Sequence, residues 1–432
     1  MKRFLQLFVP TVLLASCSIQ EADEFPQIYP DYIGVTVPEG LAPLRFTMAD
    51  GSRCSVRSRR DADTVWYSVT SSEVRYREFP VYVCQDEIDP YVAYRLIEPG
   101  YESWHDITIS QRQLSSWKET DIVTNRVNNL GCINCHSFQN RNPERMFFHS
   151  RGKGGGTVFI DESGARKVNF AEIGPKKQGA YPAWHPSGRF VAFSSNNTHQ
   201  SFTIGSAQPI EVYDTESDII LYDILNGSVS LPAQLSGPGT METFPAWNDA
   251  GNKLYYCAAD SLSDVSRNRR LVHYRLMSID FDGEAFVGEP EVVWEQPDAS
   301  ASFPRINGKW LMFTCSDYGT FPIWHKEADL WLINLETGDS FPADELNSED
   351  TESYHSWSSN GKWVVYSSRR EDGRYTRLYF SHFDGEGGFT KPFLLPQKNA
   401  KFNSLRLKSY NIPEFVSGKV PDRQTEIKQI FD

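Results

Sequence analysis

The chain has 432 residues, a formal net charge of −13 and 40% hydrophobic residues, which excludes a disordered chain and leaves room for two or three domains. Its acidic balance argues against nucleic acid or anionic lipid headgroups as partners. Aromatic residues reach 13%, alongside 29 Gly and 25 Pro, a composition that favours strands and turns over helices.

In chain order, Met1-Lys2-Arg3 precede an apolar run from Phe4 to Leu14, which ends in Leu14-Ala15-Ser16-Cys17. A basic start, a short apolar stretch and small residues before a cleavage point make a secretory signal, too short to remain as a membrane-spanning helix. The ending resembles a bacterial lipobox, which implies that Cys17 is lipidated and holds the mature chain to a membrane. The alternative is an ordinary signal peptide with a chance cysteine. The acidic stretch from Ser18 to Glu24 resembles the export signals of Bacteroidetes lipoproteins, which implies an outer-membrane location at the cell envelope. A plain solvated linker explains it equally well.

Residues 18–30 read as a tether. Residues 31–106 read as a small β domain, because Thr64–Val69, Phe79–Cys84 and Tyr91–Leu96 are rich in β-branched and aromatic residues. Residues 107–144 are less strand-like and are expected to form a connector with one or two short helices. This connector carries Cys132-Ile133-Asn134-Cys135-His136, the one sharp chemical signal in the chain.

Two thiols three positions apart can bond both vinyl groups of one haem, and the adjacent imidazole can then lie under the iron. The motif therefore predicts one covalent haem c, with Cys132 and Cys135 as attachment sites and His136 as proximal iron ligand. Haem c is attached outside the cytoplasm, which agrees with the export signal. A disulfide or redox pair, a vestigial motif and a zinc site compete with this reading. No thioredoxin-like unit surrounds the pair, and no second CxxC supplies further zinc ligands. Distal ligation falls to His149 first and Met146 second, with His105 a third candidate. Met146 and His149 are three residues apart in an extended segment, so they face opposite sides and only one can reach the iron.

Residues 145–432 carry an internal repeat. Ala183-Trp184 to Gly188, Ala246-Trp247 to Gly251, Arg305 to Gly308 and Ser356-Trp357 to Gly361 align on a turn glycine. Phe193, Tyr256, Phe313 and Tyr366 follow at a common distance, and a second turn glycine comes later at Gly227, Gly283, Gly338 and Gly385. A unit of roughly 50–60 residues with about four short strands is a propeller blade. The pattern [FY]-P-A-W-x-x-x-G-x-x-[VL] resembles the PD40 or WD40-like blades of TolB-like proteins, which implies a five- or six-bladed β-propeller. The fold class is thus mainly β: an N-terminal β domain, a CxxCH-bearing connector and a TolB-like propeller. The CxxCH segment, Phe148-His149-Ser150-Arg151, Gly154 to Gly156 and Tyr94 to Tyr101 together resemble Bacteroidetes lipoproteins that join a CxxCH motif to such a propeller. That resemblance implies no assured activity.

Other constellations are plainer. Trp184, Trp247 and Trp357 read as blade packing. His185, His325, His355 and His382 lack metal-ligand spacing, and Arg151 with Gly154 to Gly156 reads first as a Gly-rich blade turn and second as a loop beside a haem propionate. Cys54 and Cys84 are either a disulfide or two free thiols. Cys257 and Cys315 are expected to face opposite sides of the sheet and not to bridge. Neither a nucleophile elbow, a phosphate loop nor an HExxH motif occurs, so the sequence leaves enzymatic activity undecided. The leading expectation is an envelope-anchored monohaem cytochrome that transfers electrons or senses through haem, docking a protein partner on the propeller. The alternative is a non-redox propeller that binds a protein or glycan and carries a structural or vestigial CxxCH.

Overall fold

The computed structural model describes residues 19–71, 73–98, 105–152, 154–176, 178–203, 208 and 210–432. Cys17, the expected lipidation site, lies outside them. Among the described residues no helix is long and apolar enough to cross a membrane.

Six four-stranded antiparallel sheets make up most of the molecule. The first runs Ile133–Phe138, Met146–Ser150, Gly156–Asp161 and Gly164–Val168, and the second Ala180–Trp184, Phe190–Phe202, Ile210–Asp223 and Ser228–Ser230. The third runs Thr240–Trp247, Lys253–Asp260, Arg275–Phe281 and Phe286–Trp294, and the fourth Ser300–Asn307, Trp310–Ser316, Asp329–Asn334 and Ser340–Pro342. The fifth is Glu352–Trp357, Trp363–Ser368, Arg377–His382 and Phe393–Leu394. In the sixth, Ser409–Val416 pairs with Tyr91–Ile97, which continues into Thr108–Gln113 and Glu119–Thr124. The first strands of the first five sheets and Ser409–Val416 of the sixth contact one another in a closed ring, so the sheets radiate from a common axis as in a β-propeller.

This topology corrects two expectations. The boundary at residue 106 falls inside the sixth sheet, and residues 107–144 are not a connector: they are mostly strands of the sixth and first sheets, with two short 3-10 helices at Asn125–Asn128 and Gln139–Arg141. The CxxCH segment is itself the axial strand of the first sheet. Axial strands are enclosed on every side, so they need not show the two-faced alternation that marks a strand in sequence.

Turn glycines sit where the repeat puts them. Gly188, Gly251, Gly308 and Gly361 all have φ between 58 and 72°, a left-handed conformation that costs glycine little. At Gly251 a Cβ would come within 2.5 Å of His185 Nε2, and that nitrogen lies 2.7 Å from the Gly251 carbonyl oxygen. His185 is thus a latch between the second and third sheets. The tryptophans pack between sheets as expected: Trp247 donates to the Ala183 carbonyl at 3.2 Å, Trp357 to that of Arg305 at 3.3 Å, and Trp184 lies against Phe147.

The N-terminal segment forms its own six-stranded sheet, which includes Cys54–Asp61, Thr64–Ser71 and Phe79–Cys84. Its core is continuous with the fifth and sixth sheets through Tyr32, Val69, Phe79, Trp363 and Phe380. Trp363 donates to the Asp86 carbonyl at 3.0 Å, and the Ser359 amide donates to Asp89 at 2.7 Å. Cys54 and Cys84 are free thiols. Cys257 and Cys315 are also free, yet both belong to the core layer between the third and fourth sheets. They do lie on opposite faces of their own sheets and do not bridge, as expected. The facing sides of two neighbouring sheets share one layer, however, so opposite faces bring the two thiols into the same core.

Candidate functional site

Each of the six axial strands has the same irregularity. Cys135, Tyr181, Phe244, Phe303, Tyr354 and Ile412 all have positive φ, between 44 and 53°, and each ladder slips register there. A left-handed non-glycine residue costs of order 1–3 kcal/mol, so packing must hold all six. That packing is visible in the rings of Tyr181, Phe244, Phe303 and Tyr354. Their centroids lie 4.3 Å apart for Tyr181–Phe244, 4.1 Å for Phe244–Phe303 and 4.8 Å for Phe303–Tyr354. Cys135 and Ile412 take the corresponding places in the first and sixth sheets. The next residue is proline in four sheets, Pro182, Pro245, Pro304 and Pro413, and histidine in two, His136 and His355. Proline suits a bulge because no ladder donor is lost there.

This plug divides the axis. On one side lies a cavity of about 310 Å³ whose wall includes Cys132, Cys135, Arg95, Arg151 and Arg369. On the other lies a chamber of about 30 Å³ bounded by His136, His355, Arg305 and Glu414. In a regular strand Cys132 and Cys135, three apart, would face opposite ways. The left-handed bulge at Cys135 breaks that alternation, so that Cys132 and Cys135 both line the larger cavity, with Cys135, in the plug, bordering the smaller chamber too. Burial raises the Cys132 thiol pKa, against the pull of Arg95 and Arg151, so the thiol is the resting form. Gly131 is required beside it, because a Cβ would meet the Arg151 carbonyl oxygen at 2.7 Å. The Arg151 amide in turn donates to the Cys132 carbonyl at 2.8 Å.

The other expected haem ligands go elsewhere. His136 is 1% exposed and borders only the smaller chamber. Neither ring nitrogen makes a well-formed hydrogen bond among the described residues; burial pushes its pKa down to about 3, partly offset by a backbone hydrogen bond with Ile412. The ring is therefore neutral. Met146 lies opposite Phe138 in the core between the first and sixth sheets, with Phe148 on its own face. His149 is on the other face, its Nδ1 3.1 Å from Thr157 Oγ1, and burial lowers its pKa to about 3. The opposite-face expectation for Met146 and His149 holds, but neither lines the thiol-bearing cavity. His105 is exposed and is likewise not part of the wall.

As folded, the residues fit the two-thiol attachment of one haem, but not axial ligation by His136, Met146 or His149 in the same cavity. Sequence reasoning touched Arg151, as part of a loop that could lie beside a haem propionate, and missed Arg95 and Arg369 as members of the site. They come from distant positions, and only the aromatic-proline repeat, extended back to Cys135-His136 and on to Ile412-Pro413, could have pointed to the axis. Away from it, Cys84, Asp86 and His382 place one potential ligand atom each within 4.8 Å. The 2.7 Å contact of His382 Nε2 with Asp86 already accounts for that grouping.

No protein-family model matches the chain, and no curated protein matches it. Among solved structures it is similar to TolB from Acinetobacter baumannii, at 13% identity over 84% of this chain and 82% of that one, with a TM-score of 0.47. It is also similar to an oligogalacturonate lyase in complex with manganese, at 11% identity over 82% and 74% of the two chains and a TM-score of 0.40. The β-propeller domain of the Trilobed protease from Pyrococcus furiosus is similar at 13% identity over 85% of this chain and 98% of that domain, with a TM-score of 0.37.

Proposed function

We propose that the chain is a six-bladed propeller lipoprotein, held at the cell envelope through Cys17, whose axial cavity carries a prosthetic group: one haem joined through thioethers at Cys132 and Cys135. The observation that carries this reading is the shared placement of both thiols of the CxxCH motif on one buried cavity, a placement that the bulge at Cys135 creates. A cavity of about 310 Å³ falls within the size range of small-molecule and cofactor sites. Each thiol would add across one vinyl group, sulfur to one carbon and hydrogen to the other, so attachment needs no external oxidant. A haem held there supplies one-electron exchange. We carry no axial-ligand role for His136, Met146 or His149 into this reading, and we assign the outer propeller surface to a protein partner.

The test is a pyridine haemochrome spectrum of the full chain produced together with cytochrome c maturation machinery. Covalent haem is expected, lost in the Cys132→Ser/Cys135→Ser double variant. A colourless wild-type protein overturns the reading.

A further inference from the structure

Three sheets in succession send one arginine each to the axial cavity. Arg369 follows the second strand of the fifth sheet, Arg95 lies on Tyr91–Ile97 of the sixth, and Arg151 follows Met146–Ser150 of the first. Arg95 is 7% exposed and Arg369 9%, and the Nε of all three is buried without a hydrogen-bond partner. Among the described residues none of the three makes an ion pair with a carboxylate. Arg95 has only the amide of Asn411, whose oxygen can accept from Nη2 at 3.2 Å. The Arg369 guanidinium stacks over Trp324 at 4.3 Å. Burying guanidinium groups without a directly paired carboxylate is costly. Asp350 and Asp372 act on Arg369, and Arg151 acts on Asp214, without pairing; among the described wall residues Glu98 is the one carboxylate.

The opposite wall has a different character. The second sheet contributes Phe202, Ile210 and Val212, and the fourth contributes Phe321 and Ile323. The cavity is therefore cationic on the side of the fifth, sixth and first sheets and largely apolar across from it. Planar guanidinium forks match carboxylates in a bidentate manner, and an apolar wall excludes the water that would screen them.

We propose that Arg95, Arg151 and Arg369 recognise the carboxylates of an amphipathic diacid whose apolar body lies against the second and fourth sheets. The inference rests on the cavity being a ligand site, but not on the ligand being attached to the thiols. Two sources share this chemistry: the propionates of a porphyrin, and a free long-chain dicarboxylic acid.

The experiment uses the full chain produced without haem-attachment machinery and three probes. These are metal-free protoporphyrin IX followed by fluorescence, its dimethyl ester, and hexadecanedioate followed by calorimetry. Protoporphyrin is expected to bind, its ester at least tenfold more weakly, and Arg151→Gln or Arg369→Gln to weaken the free acid about tenfold. Circular dichroism and the melting temperature verify that each variant folds. Tighter binding of hexadecanedioate than of protoporphyrin, with the same arginine dependence, assigns the site to a free diacid. Equal binding of acid and ester, or arginine variants that bind as wild type, overturns the inference. A negative haemochrome with arginine-dependent acid binding removes the haem and leaves the diacid site. Covalent haem with arginine-independent binding does the reverse.

Discussion

The two chambers on either side of the axial plug are built by the same six strands, and they resolve their buried charge in opposite ways. In the smaller one Arg305 feels Glu414, as does Arg141 from outside the chamber wall, and the Glu414 carboxyl accepts from the Phe138 amide at 3.0 Å. Its cation and its titratable carboxyl lie within reach of one another inside the protein. In the larger one no carboxylate pairs directly with Arg95, Arg151 or Arg369 among the described residues, although Asp350 acts on Arg369 and Arg151 on Asp214 from further off, and two thiols stand in the same wall. A repeat can thus hold its backbone geometry constant while one side of the axis closes on itself and the other is left for a visitor.

The largest expected effect breaks the partition between the chambers. Phe303 is 4% exposed and touches both Phe244 and Tyr354. Phe303→Ala should destabilise the fold by about 3–5 kcal/mol in chemical denaturation; a loss under about 1 kcal/mol would show that the plug is not a tight core. A smaller effect sharpens the picture of the self-balanced chamber. Burial pushes the Glu414 pKa up to about 7, against Arg305, so the folded chain keeps a proton that the unfolded chain releases near the ordinary value of 4.5. Stability from this group is present below about 4.5 and is lost as pH rises through about 7. Glu414→Gln should remove that decline, at most about 1.4 kcal/mol per pH unit. Glu242 and Asp329, raised to about 7 and about 6, stay in both proteins and cancel. Denaturation midpoints at pH 5 and pH 7 measure the difference, and an identical slope in the variant would contradict the assignment. The smallest effect belongs to the open chamber. Arg151→Gln should change stability by no more than about 0.5 kcal/mol, because no ion pair is lost; a loss above 2 kcal/mol in the same denaturation assay would mean that Arg151 is structural.

Much of the outer architecture is legible in the sequence. The glycines at 188, 251, 308 and 361 mark the turns between first and second strands, and Trp247 and Trp357 mark the packing between sheets, because both depend on local spacing. The alternation of Met146 with Phe148 and of Phe147 with His149 is local too. The sixth sheet is not, since it joins Tyr91–Ile97 to Ser409–Val416 across more than 300 residues with no pattern shared between them. The thiol pair was legible as a motif, but the bulge that makes Cys132 and Cys135 share a cavity was not. Its signal is the aromatic-proline dipeptide of the other sheets, which cysteine and histidine replace here. The arginine cluster was not legible for a third reason: Arg151 stands out beside its glycine turn, but Arg95 and Arg369 join it only when the ring closes.

That closure has a kinetic meaning. Ser409, Asn411 and Ile412 border the axis and belong to a strand whose partner was made some 300 residues earlier, so the ring is completed by its least local contact, the slowest kind to form. Until Ser409–Val416 docks, the axis is open along one side and the thiols of Cys132 and Cys135 can be reached from there. Afterwards they are 6% and 3% exposed. On the proposed reading, docking of this strand closes one route to the thiols, so attachment is expected to be faster before it than after.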